Sequence, residues 1–533
     1  MKTVSMNLNH RIWNAIMEKN EETTLSNVKK NSLILMLFTF ISRLLGIVRA
    51  RVVATFFGAS GVGDVINFTF NIPNNFRKLF AEGAFNSAFI PVFTRLIVTP
   101  DRQKELLRTL AGFQIAIMSP IIILTYLFRT QVITFFSDFS DPSLILLASH
   151  LLPLFMIYLA LIAFYALLIG VLQSHNLFVT AAIAPLIFSI TVIASIILFS
   201  STLGPYSFVL GVIVGGILQT GFTFIRVKRL TYDAHITFNF TNKDFIDVMR
   251  RWGPVTISAI ITIIGQQIAF YLASTLETGS VTYFSNAIII WQAPYGIFFG
   301  AIATSIFPSL VIAGSNKNKV FMKRLTTHGL ISLLALLLPA LLLLTIVGDQ
   351  TSVVLLTSGK YTLQDALRTS DVLFFYALSM PIAAWYTFLQ RVSYSIDDFT
   401  PSLIITSIVA LIDIISMIIL LRVRGVVSSI SLASIISFSI GLIIYVVYLL
   451  KRDVLNIINK EFITHIMKIG LSNIPLAMFL WYMNTILTPA LFLEVRTIVA
   501  FLLLSALYIA AIMITYLAYR IAHIDVMGLF KKK

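Results

Sequence analysis

The sequence predicts an all-α polytopic membrane protein of about fourteen transmembrane helices. They form two six-helix lobes related by a pseudo-two-fold, plus two C-terminal helices. Three observations predict this. Apolar runs of roughly 18 residues or more, long enough to cross about 30 Å of hydrocarbon, recur between residues 31 and 521. The 533-residue chain is 58% hydrophobic and only 12% charged, with mean hydropathy +0.92, whereas a soluble chain carries about 25% charged residues. The third is a weak repeat: a common offset of 221 residues aligns Pro73 with Pro294, Leu168 with Leu389, Val171 with Val392, Ser174 with Ser395, and Phe178 with Phe399. A transmembrane β-barrel is excluded, because its signal is alternation over about ten residues rather than continuous apolar runs.

In chain order, residues 1–30 are polar and charged, with neither an apolar h-region nor a small-residue cleavage site, so they read as a cytoplasmic extension rather than a signal peptide. Within it, Leu8 to Met17 is either a short amphipathic helix on the membrane surface or part of a disordered extension. The N-lobe, 31–230, holds predicted spans near 31–56, 64–94, 107–136, 144–173, 177–200 and 206–226. The C-lobe, 231–455, holds spans near 252–275, 281–312, 325–347, 370–394, 401–421 and 425–450. Residues 456–533 supply the last two, 463–486 and 492–519, and a tail ending in Lys531, Lys532 and Lys533. Several spans exceed the roughly 20 residues a bilayer needs, so tilt or extension beyond it is expected.

The basic residues orient the chain. Of 39 Lys and Arg, 28 fall in the two tails and the loops after even-numbered spans, and eight in or beside the loops after odd-numbered ones. By the positive-inside rule both termini are cytoplasmic. This distribution accounts for the net charge of +16 without nucleic acid. The basic tail would be drawn to anionic membrane lipids.

The remaining three cations are Arg43, Arg77 and Lys78. Arg43 and Arg49 lie in the first span, and Arg77, Lys78 and Glu82 inside the second. Each charge near the bilayer centre costs roughly 2.5–3.5 kcal/mol on insertion scales, so four cations facing lipid would cost on the order of 10 kcal/mol. They must face a polar interior. Either an anionic ligand bearing phosphate or carboxylate neutralises them, or internal pairs do, such as Arg77 with Glu82 and Arg43 with Asp64. Acids are too few to satisfy all the cations, and arginine's planar fork suits phosphate. Arg43 and Arg49, six residues apart, sit about 120° around the helix and roughly 9 Å along it. They can therefore border a broad cavity but not form one stripe. Pro73 is expected to kink or break the second span, and Gly83, with Ala81, Ala84, Ser87 and Ala88, permits close helix approach. Asp64 opens that span either as an N-cap or as a gate ion pair with Arg49 or Arg51.

Asp413, in Leu411-Ile-Asp-Ile-Ile415, is the chief acid buried in the later spans, and is either a sodium or proton coupling site or a hydrogen-bonded structural acid. Gln266, Gln267, Asn286 and Gln292 read as interhelical hydrogen bonders. There are no cysteines and only seven scattered histidines, so thiolate or paired-histidine metal sites are not expected. His150 reads as an interior histidine. No phosphate-binding loop, nucleophile elbow or zinc-protease helix is present, so no enzyme and no cofactor are expected; coupling to Na+, H+ or membrane potential stays open.

The segments Ser42-Arg-Leu-Leu-Gly46, Arg49, Phe57-Gly-Ala59, Asp64, and Pro73-Asn74 through Arg77-Lys-Leu-Phe-Ala-Glu-Gly-Ala-Phe85 to Ala88-Phe-Ile-Pro91 resemble the MurJ (MviN) family of lipid II flippases. The resemblance extends over nearly the whole chain after residue 30. It implies alternating-access translocation of undecaprenyl-pyrophosphate-linked peptidoglycan precursor, lipid II, across the bacterial cytoplasmic membrane. It also implies a cationic cavity served by Arg43, Arg49 and Arg77, a functional acid at Asp64, and a lipid-tail groove on spans 13 and 14. Two departures stand out. Ala50 follows Arg49 where the family commonly has Asp, and Ile288-Ile289 replace an Asp-Arg pair ahead of Pro294. Rival readings are an exporter of another polyprenyl-linked glycan or a small molecule on the same architecture, or a membrane-embedded transferase or scaffold for wall-synthesis proteins. The exporter reading wants acids and aromatics for cationic drugs, and the last wants a sizeable external loop; 348–368 is the longest such stretch.

Overall fold

The computed structural model describes residues 37, 38, 40–80, 84–175, 177–230, 235–396, 398–457 and 459–524. Glu82 and Gly83, the 1–30 extension and the terminal lysines lie outside the described residues. Helix α1 runs through 40–57. It is followed by α2 (Gly61–Phe80), α3 (Ala84–Arg95), a 3-10 turn (Leu96–Val98), α4 (Pro100–Leu127), α5 (Arg129–Phe136), α6 (Pro142–Ser174), α7 (Phe178–Leu203) and α8 (Tyr206–Lys228). The second lobe comprises α9 (Lys243–Ser274), α10 (Ser280–Ser315), α11 (Lys319–Ile346), α12 (Gly348–Leu356), α13 (Leu363–Ser395), α14 (Phe399–Arg424) and α15 (Ser428–Lys451). The appended helices are α16 (Lys460–Ser472), α17 (Ile474–Ile486), α18 (Leu491–Glu494) and α19 (Thr497–Ile521).

Among the described residues, twelve stretches are long and apolar enough to cross a membrane, and they correspond to the third through fourteenth predicted spans. The first span falls to α1 and the second, 64–94, to α2 and α3, and α2 carries Asp64, Arg77 and Lys78 within 20 residues. The same charges that mark the site lower the apolar character of its helix. Two later spans are also each built from two helices. The third divides at Phe128, between α4 and α5. The thirteenth divides at Asn473, where Pro475 opens α17 because its ring fits the first turn but no interior position. The stretch 348–368 is not an open loop: its first half is α12, whose residues are largely buried.

The repeat is visible in the helix boundaries. Adding 221 to the bounds of α6 and α7 gives those of α13 and α14. Packing repeats too. In one lobe α6 holds α2, α3, α4, α5, α7 and α8; in the other α13 holds α10, α11, α12, α14 and α15. Both α6 and α13 are mostly buried, as the central helix of each lobe must be. Large apolar side chains on α17 and α19, among them Trp481, Leu502, Ile512 and Tyr516, stay exposed, as expected of surface facing lipid. These helices are pinned to the C-lobe by polar contacts. Tyr519 Oη donates to the Ala335 carbonyl at 2.7 Å, and Gln350 Nε2 donates to Asn484 Oδ1 at 2.6 Å.

Helix α9 packs on both lobes, touching α2, α3 and α4 as well as α10 and α14. Its first turns join an N-lobe aromatic cluster of Phe85, Phe89, Phe113, Phe245 and Trp252. Arg102 makes a two-pronged pair with Asp244, its Nη2 2.9 Å from Oδ1 and its Nε 3.1 Å from Oδ2. Asp247 accepts from Arg95 at 3.0 Å and from Arg251 at 3.1 Å. Partial desolvation opposes ionisation of Asp247, but the hydrogen bonds from the two arginines prevail and hold it below its ordinary range. This end of the bundle is therefore fastened by ions, and the opposite end by a different device.

Candidate functional site

The α2 residues Asp64, Asn67, Asn71, Asn75 and Lys78 recur at spacings of three, four, four and three, which places them on one helix face. Each bonds to the C-lobe. Asp64, 4% exposed, accepts from Gly279 N at 2.6 Å, Thr282 N at 2.8 Å and Thr282 Oγ1 at 2.7 Å. Asn67 and Asn71 Nδ2 donate to Thr282 Oγ1 and Ser285 Oγ, both at 3.3 Å. Asn75 Nδ2 donates to Gln267 Oε1 at 2.6 Å, and Lys78 Nζ to Gln266 Oε1. The result is a polar seam between α2 and the α9–α10 pair.

Asp64 is thus neither the N-cap of its own helix nor a partner of Arg49 or Arg51. Ser60 Oγ accepts from Gly63 N at 3.3 Å at the start of α2. Among the described residues no ion pair joins Asp64 to either arginine. Instead it caps α10, whose first N–H groups have no helical acceptor and carry the positive end of the helix dipole. The approach is close enough to require glycine at Gly63, where a β-carbon would collide with the Gly58 carbonyl and stand 3.3 Å from Thr282 Oγ1. Beside this cap, Arg51 Nη1 donates to the Val354 carbonyl at 2.6 Å at the end of α12. Lys360 N donates to the Thr55 carbonyl at 2.9 Å. The turn at Gly359, with φ 55°, reaches α1 at a conformation glycine tolerates.

Arg49 lies inside the N-lobe within electrostatic range of Arg77. The Arg49 guanidinium lies 5.6 Å from the ring centres of both Phe70 and Phe188, and the charge of Arg77 bears on it directly, as does Tyr158. Tyr165, within reach of the same Arg77 charge, donates to the Ala181 carbonyl at 3.3 Å. An apolar cavity of about 280 Å³ adjoins α2 here, lined by Phe76, Leu79, Phe80, Ile121, Met156 and Leu159. Arg43 points elsewhere, as its 120° separation from Arg49 requires. Its guanidinium covers Gly296 of α10, where a β-carbon would stand 3.0 Å from Nη2.

Pro73 does not break its helix; α2 continues through it to Phe80. Asn71 and Asn75, on either side, are both tied to the C-lobe. The reading of Gln266 and Gln267 as interhelical bonders holds, whereas Asn286 donates to Tyr361 Oη at 3.3 Å, in the turn between α12 and α13 rather than on a helix. Gln292 and His150 make no side-chain hydrogen bond among the described residues. Asp413 is half-buried and accepts from Ser437 Oγ at 2.7 Å across α14 and α15, with Tyr376 and Ser434 nearby. No group of three metal-ligating side chains forms among the described residues.

Sequence reasoning missed two features. The α2 asparagines were legible as a spaced polar stripe, although their partners were not. Arg391 counted as a cytoplasmic charge because it lies at the end of its span. Here it folds back onto α10, with its guanidinium carbon 5.1 Å from the Phe299 ring centre and 5.9 Å from that of Phe307. Ile288 and Ile289, where the resemblance expected charge, are half-buried against the core.

Residues 53–523 match the family model described as "Lipid II flippase MurJ". A protein of Borreliella burgdorferi, "Probable lipid II flippase MurJ", is 33% identical over 425 residues, covering 80% of this chain and 84% of its own. A protein of the same name from Rickettsia prowazekii is 28% identical over 384 residues, covering 71% and 75%. Among solved structures, "Lipid II flippase MurJ, inward closed conformation" superposes with a TM-score of 0.74 at 22% identity, over 94% of this chain and all of the other. An inward-facing multidrug resistance MATE family transporter of the MOP superfamily superposes with a TM-score of 0.66 at 13% identity, over 77% and 94%. The two likenesses concern the fold alone.

Proposed function

This chain belongs to the lipid II flippase MurJ family, and on that footing we propose that it carries lipid II across the bacterial cytoplasmic membrane by alternating access. It is a multi-pass membrane transporter rather than an enzyme. The observation that carries the reading is the Arg49 guanidinium held over two phenyl rings inside a membrane-spanning lobe, within electrostatic range of Arg77. Such a mount fixes a guanidinium while leaving its in-plane N–H donors directed at a ligand, the arrangement that suits phosphate. With both termini cytoplasmic, as the charge distribution indicates, the Asp64 cap lies at the outer end. The arginine–aspartate fastenings of α9 lie at the inner end. The polar seam then closes the outer route, and its opening releases the headgroup outward.

The test is complementation of a flippase-depleted bacterium, with lipid II accumulation as the readout. Growth with normal lipid II turnover is expected. Continued accumulation, with the protein inserted in the membrane, would remove the assignment.

We assign ion coupling to Asp413, supported by its place between α14 and α15 with Ser437, Ser434 and Tyr376 around it. Asp413→Asn removes the charge but keeps the shape, and is expected to flatten the dependence of transport on sodium or on pH. Transport in vesicles with an imposed ion gradient reads this directly. A mutant that keeps both dependences excludes the residue from coupling.

A further inference from the structure

Gly296, Gly300, Ala303 and Phe307 follow one another along α10 at spacings of four, three and four, and so share one face. A guanidinium from each lobe approaches that face. Arg43 of α1 covers Gly296, and Arg391 of α13 lies over Phe299 and Phe307, beside Ala303, which is fully buried. From Gly296 to the midpoint of Phe299 and Phe307 is about seven residues, or roughly 10 Å of helix. Between them Gly300 borders open space: a β-carbon there would meet nothing within 4 Å. Among the described residues no carboxylate pairs with Arg391. Its face is taken by the two rings, so its N–H edge remains for a ligand. The N-lobe mounts Arg49 in the same way, between Phe70 and Phe188.

We infer that Arg391 is the C-lobe contact for a diphosphate group, which lies across Gly300 with Arg43 at its other end. Two linked phosphates with a charge-assisted N–H···O contact at each end span on the order of 10 Å, which matches the roughly 10 Å of α10 between the positions the two arginines approach. A single phosphate spans less of that length. The inference rests on the flippase reading for its substrate. It places the C-lobe's charge on α13, whereas Ile288 and Ile289 leave that part of α10 apolar.

The full chain in nanodiscs, titrated by native mass spectrometry with lipid II, undecaprenyl diphosphate and undecaprenyl monophosphate, tests it. Arg391→Met, which keeps the apolar stem, is expected to weaken both diphosphate lipids at least tenfold and the monophosphate less than threefold. Arg391→Lys should fall between Met and wild type. Gly300→Leu puts an apolar side chain into the open space and should exclude the same two lipids. Wild-type affinity in both Arg391→Met and Gly300→Leu would overturn the proposal. So would a loss confined to lipid II, which would make Arg391 a reader of the sugar or peptide. Inorganic pyrophosphate should compete only at far higher concentration than the lipid; equal affinity would overturn the lipid source. If the wild type binds no lipid II, the flippase reading fails, a different result from wild-type binding that ignores Arg391.

Discussion

Arg49→Ala is expected to abolish delivery of lipid II to the outer leaflet while leaving membrane insertion intact. The side chain supplies a charge-assisted contact, worth about 1.5–3 kcal/mol when its partner is ionic, which corresponds to roughly a ten- to hundredfold loss in occupancy. It also supplies the shared wall of Phe70 and Phe188. Arg49→Lys should rescue little. An ammonium is a compact point charge and cannot stack its face between two rings while presenting a planar fork. Arg77→Ala should match Arg49→Ala, because the two charges bear on one another in one site. Complementation and outer-leaflet lipid II in depleted cells give the readout. Wild-type delivery by either alanine variant would refute the cationic-site mechanism.

Asp64→Ala is expected to unfasten the α2–α10 end of the seam, which the proposed orientation puts outside. It leaves the Gly279 and Thr282 N–H groups and the Thr282 hydroxyl without their acceptor. Each buried unsatisfied group costs about 1–3 kcal/mol, so the closed arrangement loses several kcal/mol relative to an open one that water can reach. The chain has no cysteine, so a single cysteine at Ser285, buried in the seam, reports opening through an impermeant maleimide added from outside. Labelling should rise markedly with Asp64→Ala, and less with Asp64→Asn, which keeps one acceptor oxygen. Unchanged labelling would show that the cap does not hold this end shut.

The helices were legible because length and hydropathy are local properties, and an apolar run must be satisfied within itself in a bilayer. The N-lobe cations were legible for the same reason: Arg43, Arg49, Arg77 and Lys78 are anomalies against their own neighbours. What each charge faces depends on a partner hundreds of positions away. Asp64 therefore read as a cap of its own helix or a gate ion pair although it caps α10, and the spacing that set Arg43 apart from Arg49 did not show that it covers Gly296. Arg391 was hidden differently. At the end of a span, a basic residue looks like an orientation signal, and only the return of α13 onto α10 shows that it stays inside.

The seam along α2 has a consequence for how the lobes part. Its teeth are amides, hydroxyls, one ammonium and one carboxylate, groups whose hydrogen bonds liquid water can replace almost one for one. A seam of interlocked leucines would instead expose oil at every opening, at about 25 cal/mol for each square ångström. Wetting this interface therefore costs little until the advancing water reaches Asp64, whose oxygens hold three donors at once. Separation behaves as hydration creeping along a gradual slope, with a single step at the carboxylate. The kinetics of opening should accordingly follow that one residue far more closely than any of the asparagines behind it.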